Sequence, residues 1–397
     1  MATTRTITEA LKAQAVETIE RSRAQLIEIS DLMHANPEIG FEEVKASGWL
    51  AEALGKAGYQ VERDIAGMPT AFRATWENGS GGPCVAIMAE YDALPNVGHA
   101  CGHNLIGTAA LGAAIALKET LGDIPGKVMV VGSPAEEIIG RGGKVPLVEQ
   151  GYYGGADVAM MCHPSSRTAP DNMLPSLAAV QLILKFHGKS AHASSFNWAG
   201  INALDALLLT FNNINALRQH VREDARIHGI VRSGGKAPNV VPDYSEGDFY
   251  VRAADRPYLE ELTERVKNCA RAGALATGCT IDIEESFVYA ERRINQTLAR
   301  ASMDNLLSLG LTEDAPREGR GSTDAGNVSQ VIPLIHTYVQ ITPDAPPNHN
   351  PGFAVLTGSE PGHRCLMNMA KALAMTAIDV FTRPDFLAEV KAEFAKK

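Results

Sequence analysis

Strand-like apolar runs alternate with helical segments along the first part of this chain, and that alternation restricts it to a layered α/β fold. Ala71–Trp76, Cys84–Ala89, Val128–Ser133 and Val158–Cys162 read as strands, with Asn104–Leu121 and Val145–Gln150 as helices between them. Strands joined through helices become parallel neighbours with helices packed on both faces. Two helical segments come first: Thr8–Met33, with Leu11, Ala15, Ile19, Leu26 and Ile29 at helical spacing, and Trp49–Ala57.

The order changes between Ser176 and Phe287. Strand Ala178–His187, helix Ile201–His220, strands Ala225–Arg232 and Gly247–Ala253, helix Tyr258–Thr277 and strand Thr280–Phe287 spell β-α-β-β-α-β. That is the ferredoxin-like arrangement. Its two ends can lie side by side, so it can be inserted without separating the host chain. The host pattern resumes at Gln296–Leu309, passes through strand Leu334–Ile341 and ends in helices Glu360–Phe381 and Pro384–Ala395. A chain of 397 residues is long for one core. The expected division is residues 1–175 with 289–397 as a catalytic domain, and 176–288 as an inserted lid or dimerisation domain.

The formal net charge of −10, with acids and bases interspersed, argues against nucleic-acid binding. Apolar stretches are broken before the roughly 18 residues a membrane span needs, and Met1–Ala24 lacks the apolar run of a signal peptide. Cys84, Cys101, Cys162, Cys269, Cys279 and Cys365 show no disulfide-framework spacing. The expected location is the cytoplasm.

Metal-binding side chains recur beyond the strands. Cys101-Gly102-His103 follows Cys84–Ala89, Glu136-Glu137 follows Lys127–Ser133, His163 follows Asp157–Met161, and His349 follows Ile335–Ile341 after a Pro-rich turn. In an open parallel sheet, ligands bind beyond the carboxyl ends of the strands. The joint placement therefore suggests one metal site, and the donor types suit zinc, cobalt, manganese or iron. Adjacent carboxylates near a sheet edge are costly unless a cation compensates. One of the pair can ligate while its neighbour moves the proton of a water, first from the nucleophile and then to a leaving amine. Hydrolysis of an amide uses this arrangement most directly.

These residues carry a family resemblance. Leu32–Glu43, Glu90-Tyr-Asp-Ala-Leu-Pro95, Gly98–Asn104, Ser133–Glu137, Gly188–Ala193, Asn239–Pro242 and His349–Phe353, in that order, resemble the dinuclear metallo-amidohydrolases that include aminoacylase, carboxypeptidase G and the auxin-conjugate hydrolases. The pattern is similar to the branch with p-aminobenzoyl-glutamate hydrolase and the β-alanyl-dipeptide hydrolases. The resemblance implies a zinc-peptidase-like α/β fold, with a mostly parallel sheet flanked by helices and a ferredoxin-like insert. It implies two divalent ions (zinc, manganese or cobalt) on Cys101, His103, Glu137, His163 and His349, with Glu136 as general base and acid. It places His192 at the tetrahedral intermediate, often from a partner subunit, and Asn239 at the substrate's polar end. Arg252 is a candidate carboxylate clamp because a guanidinium grips carboxylate through two bonds; a strand arginine facing water is the plain alternative.

Many members have His-x-Asp where this chain has Glu90-Tyr91-Asp92, so the ligand set must be of the Cys-His type, with Asp92 orienting a ligand. His99 is expected behind the ligands or facing substrate. His34 with Glu38 reads equally as helix capping, and His187, His220, His228, His336 and His363 read as structural. Gly321–Asn327 reads as a turn-rich loop whose Asp324 could face substrate, and Gly140–Lys144 as a bend lacking phosphate-loop spacing. The expected activity is hydrolysis of an N-acyl or N-aminoacyl amino acid, a dipeptide or an aryl-amide conjugate, by a homodimer. Hydrolytic deamination of an aromatic or amidine-like amine, and a non-catalytic subunit, remain as alternatives.

Overall fold

Cys84–Glu90 is buried at every position, as a strand covered on both faces must be. The computed structural model describes residues 2–170, 176–315 and 321–396. The expected boundary residue 175 and the end residues 1 and 397 lie outside them. The chain begins with α1 (Ala2–Arg21), α2 (Arg23–Ala35), α3 (Val44–Lys56), β1 (Gln60–Arg63), β2 (Phe72–Asn78) and β3 (Cys84–Glu90). It continues through α4 (His103–Thr120), β4 (Gly126–Ser133), α5 (Lys144–Glu149) and β5 (Val158–Ser165). The expected single helix over Thr8–Met33 is divided into two at Ser22, whose hydroxyl donates to the Thr18 carbonyl at 3.0 Å.

A second group of elements follows: β6 (Ala178–His187), α6 (Ala203–Leu217), β7 (Arg226–Ser233), β8 (Tyr244–Ala253), α7 (Arg256–Thr277) and β9 (Thr280–Glu285). Last come α8 (Gln296–Ser308), α9 (Ala325–Val331), β10 (Leu334–Gln340), α10 (Pro351–Thr357), α11 (Glu360–Thr382) and α12 (Pro384–Ala395).

The larger sheet has the order β1-β2-β4-β3-β5-β10. β4, β3, β5 and β10 run parallel, while β1 and β2 join antiparallel at one edge. The smaller sheet, β7-β8-β6-β9, is antiparallel throughout. Numbered within its own unit it reads 2-3-1-4, the ferredoxin-like order. Each sheet has its own apolar core: the larger is built on β3, β4, β5, α4 and α11, the smaller on β6, β8, α6 and α7. Among the described residues one helix, Glu360–Thr382, is long and apolar enough to cross a bilayer. Its most apolar window is 83% buried in the protein, as in a core helix.

Candidate metal centre and active site

The turn after β4 carries the acidic pair and is held by Glu43, Asp92 and Gly143 and by a bond within itself. Ala135 stands at φ 59°, a conformation non-glycine residues adopt only where their surroundings impose it. Its N–H donates to Glu43 Oε1 at 2.8 Å, and Glu43 Oε2 accepts from the Thr70 hydroxyl at 2.9 Å. Glu137 N donates to Asp92 Oδ2 at 2.9 Å, Gly143 N to the Pro134 carbonyl at 3.0 Å and Ile138 N to the Ala135 carbonyl at 3.3 Å. The acids of this turn are thus directed by backbone geometry rather than by their own packing.

Three other segments bring four nitrogen and sulfur donors to the same edge. Cys101 and His103 flank Gly102, which opens α4 at φ 84°; a Cβ there would lie 2.4 Å from Pro164 Cγ. Only glycine lets this turn approach β5 so closely. His163 lies inside β5 rather than after it, because β5 continues its pairing with β10 through His163↔Tyr338 to Ser165. His349 stands at φ 68°, its N–H donating to the Ala100 carbonyl at 2.9 Å.

The donors face one another. Cys101 Sγ is 3.3 Å from His163 Nε2, and His349 Nε2 is 3.3 Å from Glu137 Oε2. His103 Nδ1 sits 2.8 Å from Asp92 Oδ1, and His163 Nδ1 sits 2.8 Å from the Pro164 carbonyl. Each contact reserves Nε2 for a ligand, the usual outer support of a metal-bound imidazole. His103 Nε2 and Glu137 Oε1 are buried without a hydrogen-bond partner among the described residues. Within Cys101–His103–His163, and within Cys101–Glu137–His349, the donor atoms lie inside 4.8 Å of one another. Two donor sets sharing a thiol, with orphaned atoms turned into the gap, fit a pair of divalent ions of borderline softness.

Charge reinforces that fit. Burial, with Glu137 nearby, pushes the Cys101 thiol upward, so its thiolate needs a compensating cation. Burial, then the His103 charge, lowers His163 to about 4, leaving the neutral imidazole that ligation requires. Burial together with Glu90 and Glu137 raises Glu136 well above the carboxylate range. A carboxyl with so strong a hold on a proton suits a group that must accept and return one.

Cys101, Glu136, Glu137, His163 and His349 form one wall of a cavity of about 550 Å³. Arg252 of β8 reaches it from the inserted unit, its Nη1 donating to Ser322 Oγ at 3.0 Å. The structure thus gathers Cys101, His103, Glu136, Glu137, His163, His349 and Asp92, with Arg252 facing them. His192 and Asn239 are not among the lining residues: both are exposed on the inserted unit, where His192 pairs with Val240 and Ala193 N donates to the Asn239 carbonyl at 3.0 Å.

Several further expectations change. Asp324 is fully buried against Lys144, and the segment expected as a loop enters α9 at Ala325. His336, expected to be structural, lines the cavity and stacks on His163 at 5.3 Å between centroids. The two-residue alternation of β10, which puts His336 and Tyr338 on one face, was the available signal. His99 is 2% exposed and absent from the cavity lining; burial, then the charges of His103 and His34, lowers it to about 3. Glu38 accepts from Lys45 N and Ala46 N at the start of α3, so its capping reading holds. Glu43, Glu90 and Lys144 went unassigned from sequence, since nothing local distinguishes a buried charge from a solvated one.

A sequence profile described as Peptidase family M20/M25/M40 matches residues 86–372. The chain is 42% identical to the Xaa-Arg dipeptidase of Mus musculus, over 98% of this chain and 93% of that protein. It is 35% identical to one of the subunits of p-aminobenzoyl-glutamate hydrolase from Escherichia coli (strain K12), over 75% of this chain and 65% of that one. Its fold matches the crystal structure of a putative aminohydrolase from methicillin-resistant Staphylococcus aureus with a TM-score of 0.77 at 22% identity, covering 93% of this chain and all of the other.

Proposed function

The chain belongs to peptidase family M20/M25/M40, a hydrolase family acting on amide bonds, and on that premise we propose that it cleaves the amide of N-acyl or N-aminoacyl amino acids with Glu136 as the proton carrier. In this reading Cys101, His103, Glu137, His163 and His349 hold two divalent ions (zinc, manganese or cobalt), and Asp92 orients His103. The ions supply Lewis acidity, drawing electron density from the amide carbonyl and from a water. Glu136 takes the proton of the attacking water and delivers it to the departing amine. Arg252 receives the substrate carboxylate across the cavity, a role its forked donors suit. Similarity to a dipeptidase along nearly the whole chain supports a dipeptide over an aryl amide.

His192 and Asn239 complete the proposal from a second copy of the chain. Their exposure on the inserted unit, beyond the cavity lining, supports a homodimer in which each supplies the other's oxyanion donor and polar clamp. We assign residues 1–175 and 289–397 to the catalytic domain and 176–288 to the inserted domain, in keeping with the two separate sheets. The six free thiols support a cytoplasmic location.

The convergence of orphaned His103 Nε2 and Glu137 Oε1 with three further donors beside Glu136 carries this reading. The test is a panel of dipeptides, Xaa-Arg among them, acetyl-amino acids and aryl amides, assayed with zinc, cobalt and manganese in turn. Glu136→Gln is expected to lower kcat by roughly 10²–10⁴ with metal content unchanged. Release of ammonia instead of an amino acid, or full turnover in the variant, would overturn it.

A further inference from the structure

Behind the acidic pair, Glu136 joins a buried charge cluster whose other members, Glu90, Lys144 and Asp324, the proposed reaction does not use. Lys144, the first residue of α5, is fully buried, with Nζ 2.7 Å from Glu90 Oε1 and 2.6 Å from Asp324 Oδ1. Its own N–H donates to Asp324 Oδ2 at 2.9 Å, so backbone and side chain of one residue grip one carboxylate. Glu90, at the end of β3, turns its other oxygen toward His103 Nε2 at 3.5 Å. Oxygens of Glu90, Glu136 and Asp324 lie within 4.8 Å of one another, the spacing of an all-oxygen cation site. An ammonium already stands among them.

Three carboxylates crowded in a buried place repel one another strongly, and removing one partner of such a set leaves an uncompensated charge. Glycines make room for the arrangement: a Cβ on Gly142 would lie 2.3 Å from Asp324 Oδ2. We infer that Lys144 is a positioning residue: its ammonium is the fixed internal cation that lets Glu136 stand beside Glu90 and Asp324, and it keeps this acidic cluster from taking up a metal ion of its own. The role rests on Glu136 being the proton carrier. Lys144 acts through Glu90 and Asp324 and lies outside the cavity lining. Burial works against the charge on Lys144, but Asp324, Glu90 and Glu136 raise its pKa well above the ordinary lysine value, in keeping with a permanent charge.

The test compares the parent with K144M and K144M/D324N, the double variant keeping the parent's net charge in the cluster. Bound manganese per chain is counted after equilibrium dialysis, because a hard ion reports an all-oxygen site. K144M is expected to lower kcat about 100-fold with KM within about threefold, the size seen when outer supports of a metal centre are removed. It is also expected to bind one manganese more than the parent. K144M/D324N should return to the parent's manganese count and recover about tenfold of the lost kcat. The inference falls if folded K144M keeps parental kcat or gains no manganese. Should K144M not fold, the double variant decides: parental kcat, or failure to fold, also overturns it. The manganese count needs no substrate, so it tests Lys144 even if amide hydrolysis is absent.

Discussion

Glu43 shows how a single side chain outside the cavity lining supports the turn that carries the acidic pair. It is fully buried, and its two oxygens join the Ala135 peptide to Thr70. Burial, with the Asp92 charge adding to it, raises its pKa from 4.5 to about 7. Between those values the folded, metal-free chain holds a proton that the unfolded chain has released, so stability declines as pH rises through that window and levels off above 7. The full effect is up to about 3 kcal/mol. Glu43→Gln should flatten that slope in urea titrations between pH 5 and pH 8; an unchanged slope would remove Glu43 from the account. Gly102→Ala makes a second residue-scale prediction. Its φ of 84° and the Pro164 ring 2.4 Å from the added Cβ should cost about 1–3 kcal/mol in thermal unfolding. Zinc affinity should fall with it, since Cys101 and His103 flank that turn.

Elements differ in how they place donors. β5 carries His163 on a strand held by β10, whereas His349 depends on the short α10. Asn350 caps α10, accepting from Gly352 N at 2.8 Å, and Pro351 sets the first helical residue. Together they hold the chain where His349 must adopt positive φ. Asn350→Ala should therefore weaken zinc binding about tenfold by calorimetry while leaving far-ultraviolet circular dichroism unchanged. An unaltered affinity would mean the Ala100 contact alone suffices. The long elements are legible in the sequence, and Ala178–His187 and Pro384–Ala395 agree to the residue. β1, α9 and α10 are not: β1 is four mostly exposed residues, and one or two turns of helix in α9 and α10 are set by what they pack against.

At the scale of the molecule, metal and partner should both contribute. A chelator is expected to abolish turnover and lower the melting temperature, since ions that bind only the folded chain stabilise it by mass action. Mixing inactive E136Q with inactive H192A should restore activity to about a quarter of the parental value. Half the random dimers are mixed, and each then has one site combining an intact Glu136 with its partner's His192. No recovery on subunit exchange, with a dimer shown by sedimentation, would return His192 to its own subunit or to a structural role.

Residue order and periodicity alone determined the alternation of strands and helices, the ferredoxin-like insert and the approach of Cys101, His103, Glu136, Glu137, His163 and His349 to one sheet edge, because parallel strands deliver their ends to the same side. Tertiary structure decided which charges are buried. Lys144 and Asp324 lie 180 residues apart and become a contact only when α5 and α9 meet, while Glu43 and Ala135 join across 92. Local pattern carries no information about such pairs, since the free energy of a buried charge depends on the partners that folding brings to it.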